Sequence, residues 1–332
     1  MTGSQQNCRV ILGTMTFGEH GVGSRVKNVE KVKEILDYFQ KAGFKELDTA
    51  RMYCEGNTEE VLGNIGVQKA PWNFKLATKV YPFISGDHEP AKLRNTFQTS
   101  LKALQESHVD IFYLHAPDHK TPLETTLEEV DRLYKEGKFT ELGLSNYSSW
   151  QVAEIYHICR NRGFVMPTVY QGMYNLLTRE VETELFPALA KFNIRFYAYN
   201  PLCGGMASGQ YKIDDVKEDG SRFDPNVSQG KRYRERYWKG RYFESVEKIR
   251  EACVPHGIAP AEAALRWLVH HSKINPRIAS GGRDGILIGV STLEHTKLNI
   301  KYSLEGPLPQ DLVDLIDECW NHCQPACPHY FR

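Results

Sequence analysis

The 332-residue sequence lacks net charge, because 41 Lys and Arg residues balance 41 Asp and Glu residues. Without a basic excess, neither nucleic acid nor an anionic membrane surface is expected as a partner. The sequence also lacks an apolar run near the ~20 residues of a membrane span. Its first residues lack the basic-then-apolar layout of a signal peptide. We therefore expect a cytoplasmic protein.

Zinc-type CxxC pairs are missing as well, although the chain has eight cysteines. The last three lie four residues apart in "CWNHCQPACPHYF", with two histidines nearby. This spacing is open to a soft-metal or redox interpretation. Two prolines in the same stretch would break the helix that aligns such ligands, so we expect ordinary thiols and no metal.

What the sequence does contain is an alternation of β-rich runs with amphipathic segments. Predicted strands lie at 9–14, 44–50, 74–80, 109–116, 139–146, 168–175, 194–201 and 285–291. Helical patterns include 28–43, 123–137, 242–257 and 260–271. Strands that alternate with helices are parallel, so eight such units predict an α/β fold, the (β/α)8 or TIM barrel. An open doubly wound sheet would need GxGxxG after its first strand, and "GEHGVGSRVKN" has the wrong spacing.

One long segment interrupts the alternation after the seventh strand. Residues 203–241 are predicted as a single irregular loop, and a loop of this length is usually a lid or binding loop. We expect one barrel domain over 1–332, with this loop above the site and a C-terminal helix and tail at 302–332.

The predicted strand ends deliver an unusual set of titratable groups. In a barrel, these ends share one face, where chemistry takes place. The second strand supplies Asp48 and then Tyr53, the third Lys79 and the fourth His115. Later strand ends supply Ser145, Asn146, Gln171, Tyr199, Asn200 and residues 289–292. Singly, each titratable group has an ordinary structural explanation, but four on one face indicate a catalytic site.

These four groups also make chemical sense together. A free phenol has a pKa of about 10, and an ammonium about 4 Å away contributes roughly 4 kcal/mol at an effective dielectric of 20. We therefore expect Lys79 to lower the pKa of Tyr53, and Asp48 to keep Lys79 charged. With His115 facing the phenol, the set predicts a general acid that protonates a carbonyl as a cofactor supplies hydride.

On "LDTARMYCEGNTEEVLG", "LATKVYP", "FYLHAPD", "LGLSNYSSWQV" and "YQGMYNLLTR", the chain resembles the aldo-keto reductases over essentially its whole length. "LGTMTFG", "YNPLCGG", "RYRERYWK" and the closing "CPHYFR" make it most similar to the aflatoxin-aldehyde reductases, which also reduce succinic semialdehyde. The resemblance implies a catalytic tetrad of Asp48, Tyr53, Lys79 and His115, with Tyr53 as the proton donor.

The resemblance further implies NADPH/NADP+ as the cofactor. Its expected contacts are Asp48, Ser145, Asn146, Gln171, Tyr199, Asn200, Pro201, Leu202, Gly204, Gly205, Gln210, Arg222, Gly289, Ser291, Thr292, His295 and Asn299. "GVSTLEHTKLN" begins a helix, and backbone amides at a helix N-terminus attract phosphate. Lys297 and His295 would add a basic edge that favours NADPH over NADH.

For the substrate, the resemblance implies contacts from Met15, Phe17, His115, Tyr233, Arg236 and Arg332. Arginine can hold a carboxylate with two hydrogen bonds, although "KRYRERYWKGR" is also consistent with a solvated basic run. The expected activity is the reduction of aldehydes, including dialdehydes and carboxylate-bearing aldehydes. The alternative is a cofactor-binding regulatory subunit resembling potassium channel beta subunits, and a homodimer stays open.

Overall fold

The computed structural model describes residues 9–215, 221–274 and 284–332. Within these ranges, eight parallel strands follow one another around a closed barrel, and the last strand pairs with the first. The strands are β1 Arg9–Gly13, β2 Glu46–Asp48, β3 Lys75–Val80, β4 Val109–Leu114, β5 Phe139–Ser145, β6 Pro167–Met173, β7 Arg195–Tyr199 and β8 Gly285–Gly289. The predicted (β/α)8 barrel is confirmed.

Helices surround the barrel, and the four predicted from periodicity are confirmed with small shifts at their ends. The α-helices of the described ranges are α1 Val29–Lys41, α2 Asn57–Ile65, α3 Pro90–Leu104, α4 Leu123–Lys135, α5 Ser149–Arg162, α6 Leu185–Lys191, α7 Ser228–Tyr237, α8 Gly240–Cys253, α9 Pro260–His270, α10 Leu293–Leu304 and α11 Gln310–Cys323. None of them combines the length and the apolarity needed to cross a bilayer.

The first helix illustrates how local sequence sets an element. Its buried residues are Val32, Ile35, Leu36 and Phe39, which recur on one face of α1. At its start, the Asn28 side chain accepts hydrogen bonds from the backbone N–H groups of Glu30 and Lys31. Beyond its end, Gly43 has a φ of +92°, which glycine adopts without steric cost.

A charged layer closes the N-terminal end of the barrel. Arg195 Nη1 lies 2.6 Å from Glu141 Oε2, and the Tyr197 hydroxyl donates to Glu46 Oε2 at 2.8 Å. Above this layer lies an apolar cluster of Ile11, Ala77, Ile111, Tyr113, Val169, Tyr197 and Leu287. The filled interior therefore supports the opposite, C-terminal end, where the strand ends carry their functional groups.

The segment 203–241 is not irregular throughout, so that prediction was wrong in part. It contains a short 3-10 helix, Cys203–Ser208, and the ten-residue α7. Sequence periodicity missed α7 because most of its residues are polar or charged. Tyr233 and Tyr237, one turn apart, are its buried aromatic residues and attach it to the barrel.

The C-terminal segment contains the predicted helix and tail. α11 ends at Cys323, a 3-10 turn spans Gln324–Ala326, and an extended tail follows. Cys319 and Cys323 are buried thiols. Among the described residues, no group of three or more His, Cys, Asp or Glu side chains is placed to hold a metal ion.

Gly143 on β5 provides a stability test. A Cβ atom at this position would lie 2.2 Å from Cδ1 of the fully buried Tyr113. We expect Gly143→Ala to lower the free energy of unfolding by roughly 1–3 kcal/mol, because the ring must move within a packed core. Urea denaturation measures the change. Gly306→Ala is the control, since its Cβ would contact nothing within 4 Å. Equal stability of the two variants would contradict the steric argument.

Candidate active site

A buried ion pair lies at the C-terminal ends of β2 and β3. Lys79 Nζ lies 2.5 Å from Asp48 Oδ1 and donates to the Thr49 carbonyl oxygen at 2.8 Å. Gln171 Nε2 donates to the other Asp48 oxygen at 2.7 Å. Burial raises the pKa of Asp48 and lowers the pKa of Lys79, while the contact between the two groups opposes both shifts. Groups at the ends of β2, β3 and β6 thus hold the Asp48–Lys79 ion pair.

Tyr53 lies next to this pair, in a short turn that follows β2. Lys79 Nζ donates to the Tyr53 hydroxyl at 3.3 Å. The turn is held by the buried carboxylate of Glu59, which pairs with Arg51 at 2.7 Å and accepts from the Thr78 hydroxyl at 2.5 Å. The Lys79 contact therefore positions the phenol of Tyr53, while the Arg51–Glu59 ion pair holds the turn on which Tyr53 lies.

The expected direction of the Tyr53 pKa was wrong. Burial, followed by the Asp48 carboxylate, raises the pKa of Tyr53 well above that of a free phenol. Lys79 does not reverse this shift, because its charge is balanced by Asp48 at 2.5 Å, closer than the phenol at 3.3 Å. Tyr53 consequently keeps its proton at neutral pH, which suits a donor that releases it only to a strong base.

His115 faces Tyr53 from the end of β4. The two rings meet edge to face with centroids 6.2 Å apart, and Tyr81 packs against His115 in the same manner at 5.5 Å. Burial, followed by the charges of Lys79 and Arg332, lowers the pKa of His115 well below its usual value. Its Nδ1 is buried without a hydrogen-bond partner among the described residues. A neutral imidazole therefore lines the site.

Two asparagines at strand ends form hydrogen bonds that link neighbouring strands of the site to one another and to α7. Asn146 follows β5 with a φ of +62°, and its amide donates to the His115 carbonyl oxygen at 2.8 Å. The Tyr199 hydroxyl donates to Asn146 Oδ1 at 2.8 Å. Asn200 has a φ of +58° and accepts from the Tyr233 hydroxyl on α7 at 3.0 Å. Asparagine tolerates this left-handed conformation, so both strands turn sharply into the loops of the site.

These groups line a cleft of about 880 Å³ at the C-terminal end of the barrel. The predicted residues that line it are Met15, Asp48, Tyr53, His115, Ser145, Asn146, Gln171, Tyr199, Asn200, Pro201, Leu202, Gly204, Gly205, Gln210, Arg222, Tyr233, Arg236, Gly289, Ser291, His295, Asn299 and Arg332. The cleft therefore brings together residues that are far apart in the chain, such as Met15 and Arg332.

Lys79 and two other predicted site residues lie outside the lining. Lys79 is fully buried behind Asp48 and Tyr53, and its ammonium group contacts both of these lining residues. Phe17 is fully buried in the apolar core, because the chain turns after β1 and directs this ring inward. Thr292 is the N-cap of α10, and its side chain accepts the backbone N–H of His295 at 3.0 Å.

Lys297, predicted to form a basic edge with His295, does not line the cleft. Lys297 Nζ lies 3.9 Å from Glu294 Oε2 and 6.0 Å from the ring centroid of Tyr38 on α1. One helical turn separates Lys297 from Glu294, so the pair forms along the helix surface. His295, in contrast, lines the cleft and hydrogen-bonds Ser291 through Nδ1 at 3.0 Å.

Sequence reasoning missed several lining residues, among them the three arginines Arg25, Arg51 and Arg232. The arginines that line the cleft are Arg25, Arg51, Arg222, Arg232, Arg236 and Arg332, and the lining carboxylates are Asp48 and Glu55. Arg232 lies on α7 one turn before Arg236, a spacing that would have signalled it had the helix been recognised. This excess of cationic groups makes the cleft attractive to anions.

Comparison with known proteins agrees with the fold and site. The Aldo/keto reductase family model matches residues 9–321. The chain belongs to this family, as its motifs predicted, and is an oxidoreductase.

Within the family, the chain is similar to aflatoxin B1 aldehyde reductase member 2 of Rattus norvegicus, with 44% identity over 331 residues, covering 97% of this chain and 87% of that protein. It is 45% identical over 330 residues to aldo-keto reductase family 7 member A3 of Homo sapiens, covering 97% and 96%. Aldo-keto reductase pigE of Monascus ruber is 36% identical over 340 residues, covering 97% of each chain.

The electrostatics of His115 can be tested directly. Because burial and two nearby cations lower its pKa, we expect the imidazole to remain neutral between pH 5.5 and 8. Its ring chemical shifts, followed by NMR and assigned with His115→Asn, should then show no titration in this range. A titration near the usual histidine pKa of about 6.5 would contradict the assigned environment.

Proposed function

We propose that the protein reduces aldehydes to alcohols with NADPH, with Tyr53 as the general acid. The observation that carries the proposal is the hydrogen-bonded chain Asp48–Lys79–Tyr53, which faces a neutral His115 inside an arginine-lined cleft. The names of two similar proteins, aflatoxin B1 aldehyde reductase member 2 and aldo-keto reductase family 7 member A3, agree with this chemistry.

The cleft residues fit a nicotinamide dinucleotide. A volume of about 880 Å³ lies in the upper part of the ~300–1,000 Å³ range typical of ligand pockets. Ser145, Asn146 and Gln171 offer hydroxyl and amide groups for the carboxamide, and Arg222 offers a cation near residues 200–210 for the pyrophosphate. The N-terminus of α10, with Ser291, His295 and Asn299, suits the adenosine phosphate.

When bound, the cofactor supplies the hydride that reduces the carbonyl carbon. Tyr53 then gives its proton to the carbonyl oxygen, which becomes strongly basic as negative charge develops on it. His115 donates a hydrogen bond that orients this oxygen toward Tyr53. Lys79 and Asp48 hold the phenol in place, and Lys79 stabilises the phenolate that remains after proton transfer.

The substrate class follows from the charges around the catalytic groups. Arg332 lies beside His115, with Nη1 donating to the Tyr81 hydroxyl at 3.2 Å, and its charge contributes to the lowered pKa of His115. Arg236 lies over the rings of Tyr199 and Tyr233, 5.9 and 5.7 Å from their centroids. These cations favour carbonyl compounds that also carry a carboxylate, such as succinic semialdehyde.

Tyr53→Phe tests the general acid. The variant should bind NADPH with little change in dissociation constant but lose at least ~10²-fold in turnover, the usual contribution of a general acid. Steady-state NADPH oxidation gives the rate, and cofactor fluorescence titration gives the affinity. Tyr134→Phe, which removes a hydroxyl from an exposed tyrosine on α4, is the matched control. Full activity of Tyr53→Phe would remove the assignment.

Arg332→Ala tests the carboxylate contact. A charge-assisted hydrogen bond contributes about 1.5–3 kcal/mol, so KM for succinic semialdehyde should rise roughly tenfold or more. KM for the uncharged 4-nitrobenzaldehyde should change far less. Arg332→Lys keeps the charge and should lose less, while Lys231→Ala removes an exposed cation of α7 that does not line the cleft. An equal rise for both aldehydes would argue against a carboxylate contact.

A further inference from the structure

Arg332 reaches the cleft at the end of a tail segment, residues 324–332, that follows α11. Its backbone N–H donates to the Asn146 carbonyl oxygen at 3.0 Å, and its Nη1 donates to the Tyr81 hydroxyl at 3.2 Å. Arg332 is otherwise exposed. The position of its guanidinium therefore depends on what holds the segment immediately before it.

Tyr330 provides that hold, two residues earlier. It is buried, and its hydroxyl donates to Glu184 Oε1 at 2.5 Å and accepts the backbone N–H of Ser149 at 3.0 Å. Its own backbone N–H donates to Glu180 Oε2 at 2.8 Å. Burial, together with Glu184, raises the pKa of Tyr330 to about 12, so the hydroxyl keeps its proton at neutral pH.

These contacts join the tail to two separate parts of the barrel wall. Ser149 is the first residue of α5, and Glu184 immediately precedes α6. Because two residues of chain span at most ~7 Å, fixing the Tyr330 hydroxyl restricts where Arg332 can lie. The Arg332–Asn146 bond then connects the tail to a residue of the candidate cofactor site.

We propose that Tyr330 and Glu184 are positioning residues, which hold Arg332 in the cleft to bind the carboxylate of the substrate. The inference rests on the proposed role of Arg332 in substrate binding. It assigns to the buried Tyr330–Glu184 contact an effect on anion affinity rather than on folding alone.

The tail has other attachments that should survive loss of the Tyr330 hydroxyl. Lys239 Nζ donates to the Ala326 carbonyl oxygen at 2.6 Å, and His329 Nδ1 lies 2.9 Å from Glu180 Oε1. Tyr330→Phe also keeps the buried ring and the backbone bond to Glu180. The variant should therefore fold with its tail attached, while the freedom of Arg332 increases.

The first measurement is the dissociation constant of succinate, an unreactive carboxylate, by isothermal titration calorimetry. Because succinate binding is measured without turnover, it tests the inference even if the protein does not catalyse the proposed reaction. We expect Tyr330→Phe to weaken binding about fivefold, as for the loss of one ordinary hydrogen bond. Glu184→Gln keeps an acceptor oxygen and should retain most of the affinity. Tyr134→Phe should behave as the wild type, and circular dichroism checks that each variant is folded.

A double-mutant cycle with Arg332→Ala then separates positioning from general structure. If Tyr330 acts through Arg332, adding Tyr330→Phe to Arg332→Ala should change the succinate affinity less than about twofold. Additive losses, or an unchanged affinity in Tyr330→Phe alone, would overturn the inference while leaving Arg332 as the anion contact. An unchanged affinity in Arg332→Ala would overturn both the inference and the proposed carboxylate contact, and aldehyde reduction would then be judged by the Tyr53→Phe kinetics alone.

Discussion

The ion pair between Lys79 and Asp48 is the interaction on which the rest of the site depends. Removing two charges from water is costly, and such a pair persists only where geometry and additional hydrogen bonds compensate. Here the 2.5 Å contact is supplemented by the Thr49 carbonyl and the Gln171 amide. The barrel interior supports it from below, where the Tyr113 ring centroid lies 5.6 Å from Lys79 Nζ. Losing either partner would leave an uncompensated buried charge.

The residues around the cleft come from two sources. One is the C-terminal ends of the barrel strands, and the other is the segments that pack against the barrel, including α7 and the tail at 324–332. The strand ends carry the candidate catalytic groups, and neighbouring strands fix their positions. α7 and the tail supply three of the six arginines that line the cleft, Arg232, Arg236 and Arg332. Those cations belong to segments attached to the barrel by a few contacts, such as the Tyr233–Asn200 hydrogen bond.

Much of the barrel and of the tetrad could be predicted because both depend on local pattern. Each strand is a short β-rich run, and each functional group directly follows one. The failures share a different cause. α7 carries few apolar residues, so its periodicity was invisible, and Phe17 turns into the core through the path of a loop. Lys297 found a partner one helical turn away, Glu294, rather than facing the cleft.

The sequence by itself determined the order of strands and helices, the family and the four candidate catalytic side chains, because each is encoded in residues close together in the chain. Tertiary structure alone decided how the charges interact. Whether Lys79 lowers the pKa of Tyr53 depends on the distance to Asp48, 31 residues away, and on complete burial. Likewise, Arg332 meets the catalytic face only because Tyr330 and Asn146 hold the tail there, through contacts that span more than 140 residues. Such distances and burial arise from the closed barrel, which no local pattern specifies.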